Sequence, residues 1–396
     1  MSGKPIVAIV RCNDYNQEAV ASAVADCIAL TGGLQDIVLP GETVLLKPNL
    51  LSSRPWETAV TTHPAVIEAV ARAVAAAGGI PLGGDSPGGG LTNPNRARAV
   101  YSGSGMNAAL ARAGGQPVNF DGDRAVAVEV GRPGARVRVL HLARAAVEAQ
   151  AIINLPKLKT HTLTLLSAAV KNMFGTVPGV GKGEYHRLCP VVDDFADCLL
   201  DIYFAVRPRL NILDAVLAME GDGPSAGAPV WTRCLVASRD GIALDTVAAA
   251  MAGVDPGRVP VLRRAAARGL GPVSLEGIEL IGVPLASVCR PLKLPNSAIA
   301  RIPPWLMRLG WGLIKSDPVP GPGCNGCAAC VANCPVSAVT MQRGRPELQL
   351  RRCIGCLCCH ELCPQRAMRL QYRYPLMGLV LSAFGRKQRS RGEDLR

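Results

Sequence analysis

The sequence predicts an α/β protein: a layered, partly parallel sheet body followed by a small C-terminal α+β domain. Two observations carry this. Over residues 1–290, short apolar runs alternate with helical patterns, as in a sheet covered by helices. Further on, a cysteine string occurs twice. C-x₂-C-x₂-C-x₃-C-P reads Cys324, Cys327, Cys330, Cys334, Pro335 and returns as Cys353, Cys356, Cys359, Cys363, Pro364. Gly326/Gly355 and Ala338/Ala367 keep the same 29-residue offset, which marks a duplicated half-module.

Taken in order, Ile6–Cys12 reads as a strand and Glu18–Leu30 as a helix closed by Gly32-Gly33. Thr43–Lys47 is the next strand. Thr62 is placed to cap a helix that begins at Pro64 and closes at Gly78-Gly79, before strand Ile80–Gly84. Later strands are expected at Val137–Leu142, Ala151–Leu155, Arg209–Asp214, Arg233–Ser238 and Ile278–Gly282, with Val126–Val130 forming a hairpin with the first. Helices are expected at Asn107–Ala113, Asp193–Val206 and Leu244–Ala252. Residues 291–321 are Pro-rich and read as a linker, 322–372 as the cysteine domain and 373–396 as a basic amphipathic tail.

Soft thiolates select iron–sulfur clusters or zinc. Zinc is usually held by two separated cysteine pairs and needs neither the third cysteine nor the Cys-Pro. The spacing is that of a two-cluster bacterial ferredoxin, in which the fourth cysteine of each string reaches the other cluster. The domain is therefore expected to be ferredoxin-like, with two [4Fe–4S] clusters. One takes Cys324, Cys327, Cys330 and Cys363; the other takes Cys353, Cys356, Cys359 and Cys334. Cys358 breaks the second string's spacing and is expected to line the pocket without ligating.

At 396 residues with 49% hydrophobic content, the chain can bury a full core. The net charge of +13 admits acidic partners, but the few aromatics are not interleaved with arginine, which argues against nucleic acid. Thiolate clusters and scattered free cysteines point to a reducing cytoplasm. Two apolar segments with basic flanks, 299–314 and 373–391, are too short to span a bilayer. They offer either peripheral contact with the inner face of a membrane or packing against the protein.

Polar residues gather just after the expected strand ends, where open α/β sheets bind ligands. Lys47 and Asn49, His63, Asp85 and Ser86, Lys157, Lys159 and His161, then Asp214 and Glu220 all fall there. Lys47, Lys157, Lys159 and Lys171 suit an anionic substrate. His63 and His161 are the proton-transfer candidates, with Asp85, Asp214 and Glu220 placed to orient a histidine or bind a hydroxyl or a metal. Each residue also has a plain role: helix cap, turn or solvated charge. Gly175–Gly183 fails the Walker pattern because Thr176 and Gly183 stand where Gly and Ser/Thr are required, leaving a glycine loop or anion nest.

The strings LLKPNLL (Leu45–Leu51), TTHP (Thr61–Pro64), GDSP (Gly84–Pro87), PKLKTH (Pro156–His161), VKNMFG (Val170–Gly175) and MEGDGP (Met219–Pro224) resemble the DUF362 family over residues 5–285. Members often carry a C-terminal ferredoxin-like module. His161, Lys171 and Pro178-Gly179 are also similar to the H…K…PG pattern of nickel-pincer lactate racemases, although Ser167-Ala168-Ala169 departs from it. That likeness implies an acid/base role for His161 and an anchoring role for Lys171.

The function expected from these features is an oxidoreductase in which low-potential electrons reach an anionic small molecule in the N-terminal cleft. Its rivals are an electron-relay or cluster-delivery protein serving a redox partner protein, and a non-redox isomerase, lyase or transferase using His161 and Lys171.

Overall fold

A computed structural model describes residues 3–88, 95–122, 124–179, 181–297 and 316–372. The two apolar segments at 299–314 and 373–391 lie outside the described residues. The strands are β1 (Ile6–Arg11), β2 (Thr43–Pro48), β3 (Ile80–Gly83), β4 (Gln116–Pro117), β5 (Ala125–Glu129), β6 (Val139–Ala143), β7 (Ala151–Leu155), β8 (Lys157–His161), β9 (Leu165–Ser167), β10 (Leu210–Glu220), β11 (Ala228–Ser238) and β12 (Glu279–Gly282). The helices are α1 (Gln17–Leu30), α2 (Pro64–Ala76), α3 (Arg96–Gly103), α4 (Met106–Arg112), α5 (Arg144–Val147), α6 (Ala169–Asn172), α7 (Gly181–Leu188), α8 (Val192–Val206), α9 (Gly241–Met251) and α10 (Pro260–Ala267).

The central sheet runs β12-β1-β11-β10-β7-β2-β3-β4, with β8 and β9 joined to it through β10. It is mostly parallel; the antiparallel pairs are β1–β11, β10–β11 and β8–β9. Side chains alternate across a strand, so each face has its own core. In β1, Val7 and Ile9 join the core under α6, α8 and α9, while Ala8 and Val10 join the core under α1, α2 and α4. The expected hairpin pairs as β5–β6, apart from the main sheet.

Helix starts follow capping chemistry. Asn16 accepts the N–H groups of Glu18 and Ala19 at α1, and Asp240 accepts those of Ile242 and Ala243 at α9. At α2 the cap is His63, whose Nδ1 accepts the Ala65 N–H at 3.1 Å. Thr62, expected in that role, instead accepts the Asn49 N–H and donates to the Leu155 carbonyl, tying the α2 start to β2 and β7.

The C-terminal cysteine domain repeats its backbone as well as its sequence. Strands β13 (Ser316–Pro320) and β14 (Val339–Gln342) correspond to β15 (Arg345–Leu348) and β16 (Met368–Tyr372), yet the pairs formed are β13–β16 and β14–β15. Each half thus completes the other's sheet. Short helices Ala329–Ala332 and Cys358–Glu361 match at the same offset, and left-handed residues recur at Gly326/Gly355, Ala328/Leu357 and Ser337/Arg366.

Asp245 on α9 accepts the N–H groups of Ala169 at 2.6 Å and Val170 at 3.1 Å, fixing the turn that presents Lys171. Burial pushes its pKa up to about 7, outweighing those two bonds. Between about pH 4 and 7 the folded state then binds more protons than the unfolded state, so this contribution is lost as pH rises to 7. Urea midpoints of Asp245→Asn are expected to fall less steeply than wild type from pH 5 to 7; equal slopes contradict this.

Candidate functional site

Strand β8 sets the site. Pro156 ends β7 because it has no N–H to continue the ladder, and β8 continues beside β10. Lys157, Lys159 and His161 alternate onto one face. Each meets a different neighbourhood, from the body's interior out to the cysteine domain.

Lys157 enters a closed network. Its Nζ donates to Asp214 Oδ2 at 2.8 Å and to Tyr15 Oη at 2.7 Å, and Tyr15 donates to Asp214 Oδ1 at 2.7 Å. The His63 backbone N–H also reaches Asp214, and its ring stacks on Tyr15 at 3.7 Å between centroids. Burial lowers the His63 pKa to about 4. His63, Lys157 and Asp214, grouped in one cleft by sequence reasoning, are engaged with each other and with Tyr15, and none of them lines the cavity described next. Glu220 lies apart from them, at the end of β10, where it accepts the Lys293 N–H.

The cavity is lined by Asn49, Asp85, Ser86, Lys159, Lys171 and Lys182 from the body, and by Cys358 and Glu361 from the cysteine domain. At its base Lys47 pairs with Asp85 at 2.8 Å. Gly175 packs on this pair so closely that a Cβ there would stand 2.0 Å from Asp85 Oδ1, which requires glycine. Lys159 donates to Asn49 Oδ1 at 2.8 Å and to the Val60 carbonyl at 2.9 Å. Asn49 is held in turn by Asn172, which also binds Asn154 and the Lys47 carbonyl. Ser86 accepts from Lys182 and donates to Asp121. Lys171 has no hydrogen-bond partner among the described residues; its Nζ lies 5.9 Å from the Phe174 ring centre.

His161 stands behind this cavity. Its Nδ1 accepts the Leu163 N–H at 3.0 Å, so the ring proton sits on Nε2. That Nε2 is buried without a hydrogen-bond partner and faces Glu361 Oε2 at 3.8 Å. Burial, then Lys171 and Lys159, hold the His161 pKa well below the usual imidazole range. Its Nε2–H therefore points toward Glu361 without reaching hydrogen-bond distance. The groups tuned near neutrality are lysines: burial lowers Lys159 to about 7 and Lys182 to about 8. Lys182 and Glu361 were missed in the sequence. Lys182 sits in the glycine stretch that failed the Walker test, and nothing local marks Glu361.

Two smaller pockets lie inside the cysteine domain. One is lined by Cys324, Cys327, Cys330 and Cys363. The other is lined by Cys334, Cys353, Cys356 and Cys359, with Cys358 on its wall. Each pocket therefore takes three cysteines from one string and one from the other. Ala338 N–H reaches Cys334 Sγ at 3.1 Å, and Ala367 N–H reaches Cys363 Sγ at 3.3 Å. Cys358 lines both the second of these pockets and the large cavity.

The cysteine domain is fastened at this boundary. Arg54 donates to Ser225 O in the body and to Cys363 O and Pro364 O in the domain, and Ser225 donates to Glu361 O.

An anion entering the cavity raises the pKa of Lys159 and Lys182 by favouring their charged forms. Binding of a non-titrating dianion such as sulfate is therefore expected to weaken from pH 6 to 9 and to take up protons between pH 7 and 9. Calorimetry in buffers of differing ionisation enthalpy reads that uptake; none at pH 8 contradicts it.

A sequence profile described as a domain of unknown function, DUF362, matches residues 44–250. A thylakoid-associated protein of Synechocystis is 34% identical over 292 residues, covering 73% of this chain and 88% of its own length. Among solved structures, the lactate racemase apoprotein from Thermoanaerobacterium thermosaccharolyticum aligns with a TM-score of 0.41 at 12% identity, over 64% of this chain and 58% of that one. A Thermotoga maritima protein aligns with a TM-score of 0.36 at 12% identity, over 59% of this chain and 57% of its own. Among the described residues no helix is long and apolar enough to cross a membrane. With more than half of its length matched by the profile and a relative at this identity, the chain belongs to the DUF362 family.

Proposed function

We propose that the protein is an iron–sulfur oxidoreductase that reduces an anionic small molecule bound in the cavity between its body and its cysteine domain. The observation that carries this is the position of Cys358, a wall shared by the cavity and a four-cysteine pocket. The cysteine domain is then a ferredoxin-like module. Its donor sets suit the group: four thiols around each of two apolar pockets, with a backbone N–H aimed at one sulfur in each. Cys324, Cys327, Cys330 and Cys363 would hold one [4Fe–4S] cluster, and Cys353, Cys356, Cys359 and Cys334 the other. When bound, such clusters supply single electrons at low potential.

The chain's own residues do the remainder. Lys171, Lys159 and Lys182 bind a carboxylate or phosphate; Asn49 and Ser86 orient two of those lysines. Lys159 and Lys182, brought near neutrality by burial, are suited to give a proton to a reduced substrate. His161 presents its Nε2–H to Glu361 Oε2 at 3.8 Å, at the domain boundary. The same tuned lysines favour a second reading, a non-redox isomerase, lyase or transferase in which the clusters are structural. The membrane association in the relative's name fits peripheral contact through 299–314 and 373–391.

Anaerobic protein is expected to hold about eight irons per chain, four in each of two clusters. Reduced with dithionite, it should be reoxidised by candidate anionic metabolites. Lys171→Gln should slow this by about 100-fold, the order lost with one preorganised charge, while iron content stays unchanged. Reoxidation only by a protein partner overturns the reading in favour of a relay, and turnover indifferent to cluster oxidation state overturns it in favour of the second reading.

A further inference from the structure

The two four-cysteine pockets differ in what surrounds them. The second is closed off by the body through Cys358. The first presents Cys327 and Asn325, both on its lining, to solvent, while its Ala329, Cys363 and Pro364 face the body across a neighbouring cleft.

The surface around the first pocket is strongly basic. Arg343, Arg345, Arg351, Arg352, Arg366 and Arg369 are all exposed, and none forms a salt bridge among the described residues. The only exposed acid between residues 316 and 372 is Glu347; Asp317 is buried and Glu361 faces the cavity. Four of these arginines frame the first pocket. The turn between β14 and β15, which carries Arg343, packs on the first cysteine loop, so that a Cβ on Gly326 would stand 2.4 Å from Gly344 O. Arg345 precedes Pro346, and Arg366 follows Gln365, both on the pocket lining. Arg369 Nε lies beside Gly321, whose carbonyl accepts the Cys324 N–H. Exposed like charges that make no ion pair cost stability, and they speed encounter with a partner of opposite sign.

We propose that this four-arginine face, Arg343, Arg345, Arg366 and Arg369 around the first cysteine pocket, docks an acidic one-electron carrier protein. This rests on the iron–sulfur reading above and adds the partner and the side of the domain it uses. In each encounter the carrier loses one electron and this chain gains it; no proton or bond changes hands at this face. Cys358 and the large cavity lie on the other side of the exchange, so partner and substrate do not compete for one surface.

The test uses holoprotein and a strongly acidic plant-type [2Fe–2S] ferredoxin as probe. Calorimetry is expected to give a dissociation constant that rises about tenfold from 20 to 300 mM salt, as screening of opposed charges requires. Arg343→Glu and Arg366→Glu should each weaken binding and slow stopped-flow reduction by the ferredoxin about tenfold. Both variants should keep wild-type iron content and wild-type reduction by methyl viologen. Salt-independent binding, or no effect of either reversal in iron-replete protein, overturns the docking face alone. Phosphatidylglycerol vesicles bound through these arginines, with ferredoxin binding unaffected by the reversals, overturn it in favour of a lipid surface. Protein that holds no iron overturns this proposal together with the reading beneath it.

Discussion

Burying lysine is the constraint around which the body is built. Lys47, Lys157 and Lys159 are essentially solvent-free, and an ammonium taken out of water costs several kcal/mol unless its environment offsets the loss. Each is answered differently. Lys47 has Asp85, Lys157 has Asp214 and Tyr15, and Lys159 has only an amide oxygen and a backbone carbonyl. The first pairing ties β2 to the loop after β3, and the second ties β8 to β10 and to the loop before α1. The third leaves charge only partly compensated beside Lys171 and Lys182 around a cavity, which is where an anion would complete the balance.

Supporting polar groups make that incompleteness stable. Asn49, Asn172, Asn154 and Asn211 hydrogen-bond in sequence from the cavity floor into the core, so the lysine partners cannot relax toward the charge. Gly175 lets a backbone turn close over the Lys47–Asp85 pair, and Asp245 pins the turn that carries Lys171. The cysteine domain closes the remaining side with Cys358 and Glu361, anchored through Arg54 and Ser225. The cavity is thus shared between two parts of the chain more than 100 residues apart, and neither part encloses it alone.

Much of the architecture could be read from residue patterns. The period of the apolar runs located β1, β2, β3, β7, α1, α2 and α8 within a few residues. Strands β8 and β9 escaped because Lys157–His161 carries three ionisable side chains and so lacks a strand's apolar signature. The 29-residue repeat was visible as spacing, but its sheet exchange, β13 with β16 and β14 with β15, is a tertiary fact that no local pattern encodes. The site was half legible. Position after a strand end grouped Lys47, Asn49, Asp85, Ser86 and Lys159, which the structure places at the cavity or at its base. It could not separate them from His63, Lys157 and Asp214, because that division depends on Tyr15, which lies about 200 residues from Asp214 in sequence. Glu361 was invisible for the same reason.

The central claim is that a cluster pocket and an anion cavity share one wall. Anomalous diffraction at the iron edge, on crystals grown without air and soaked in sulfate or a dicarboxylate, tests it most directly. The account predicts two compact iron-containing peaks, one within each cysteine set, and anion density among Lys159, Lys171 and Lys182 on the far side of Cys358. A single zinc atom in each cysteine set, with the lysines bare of any anion, would contradict it.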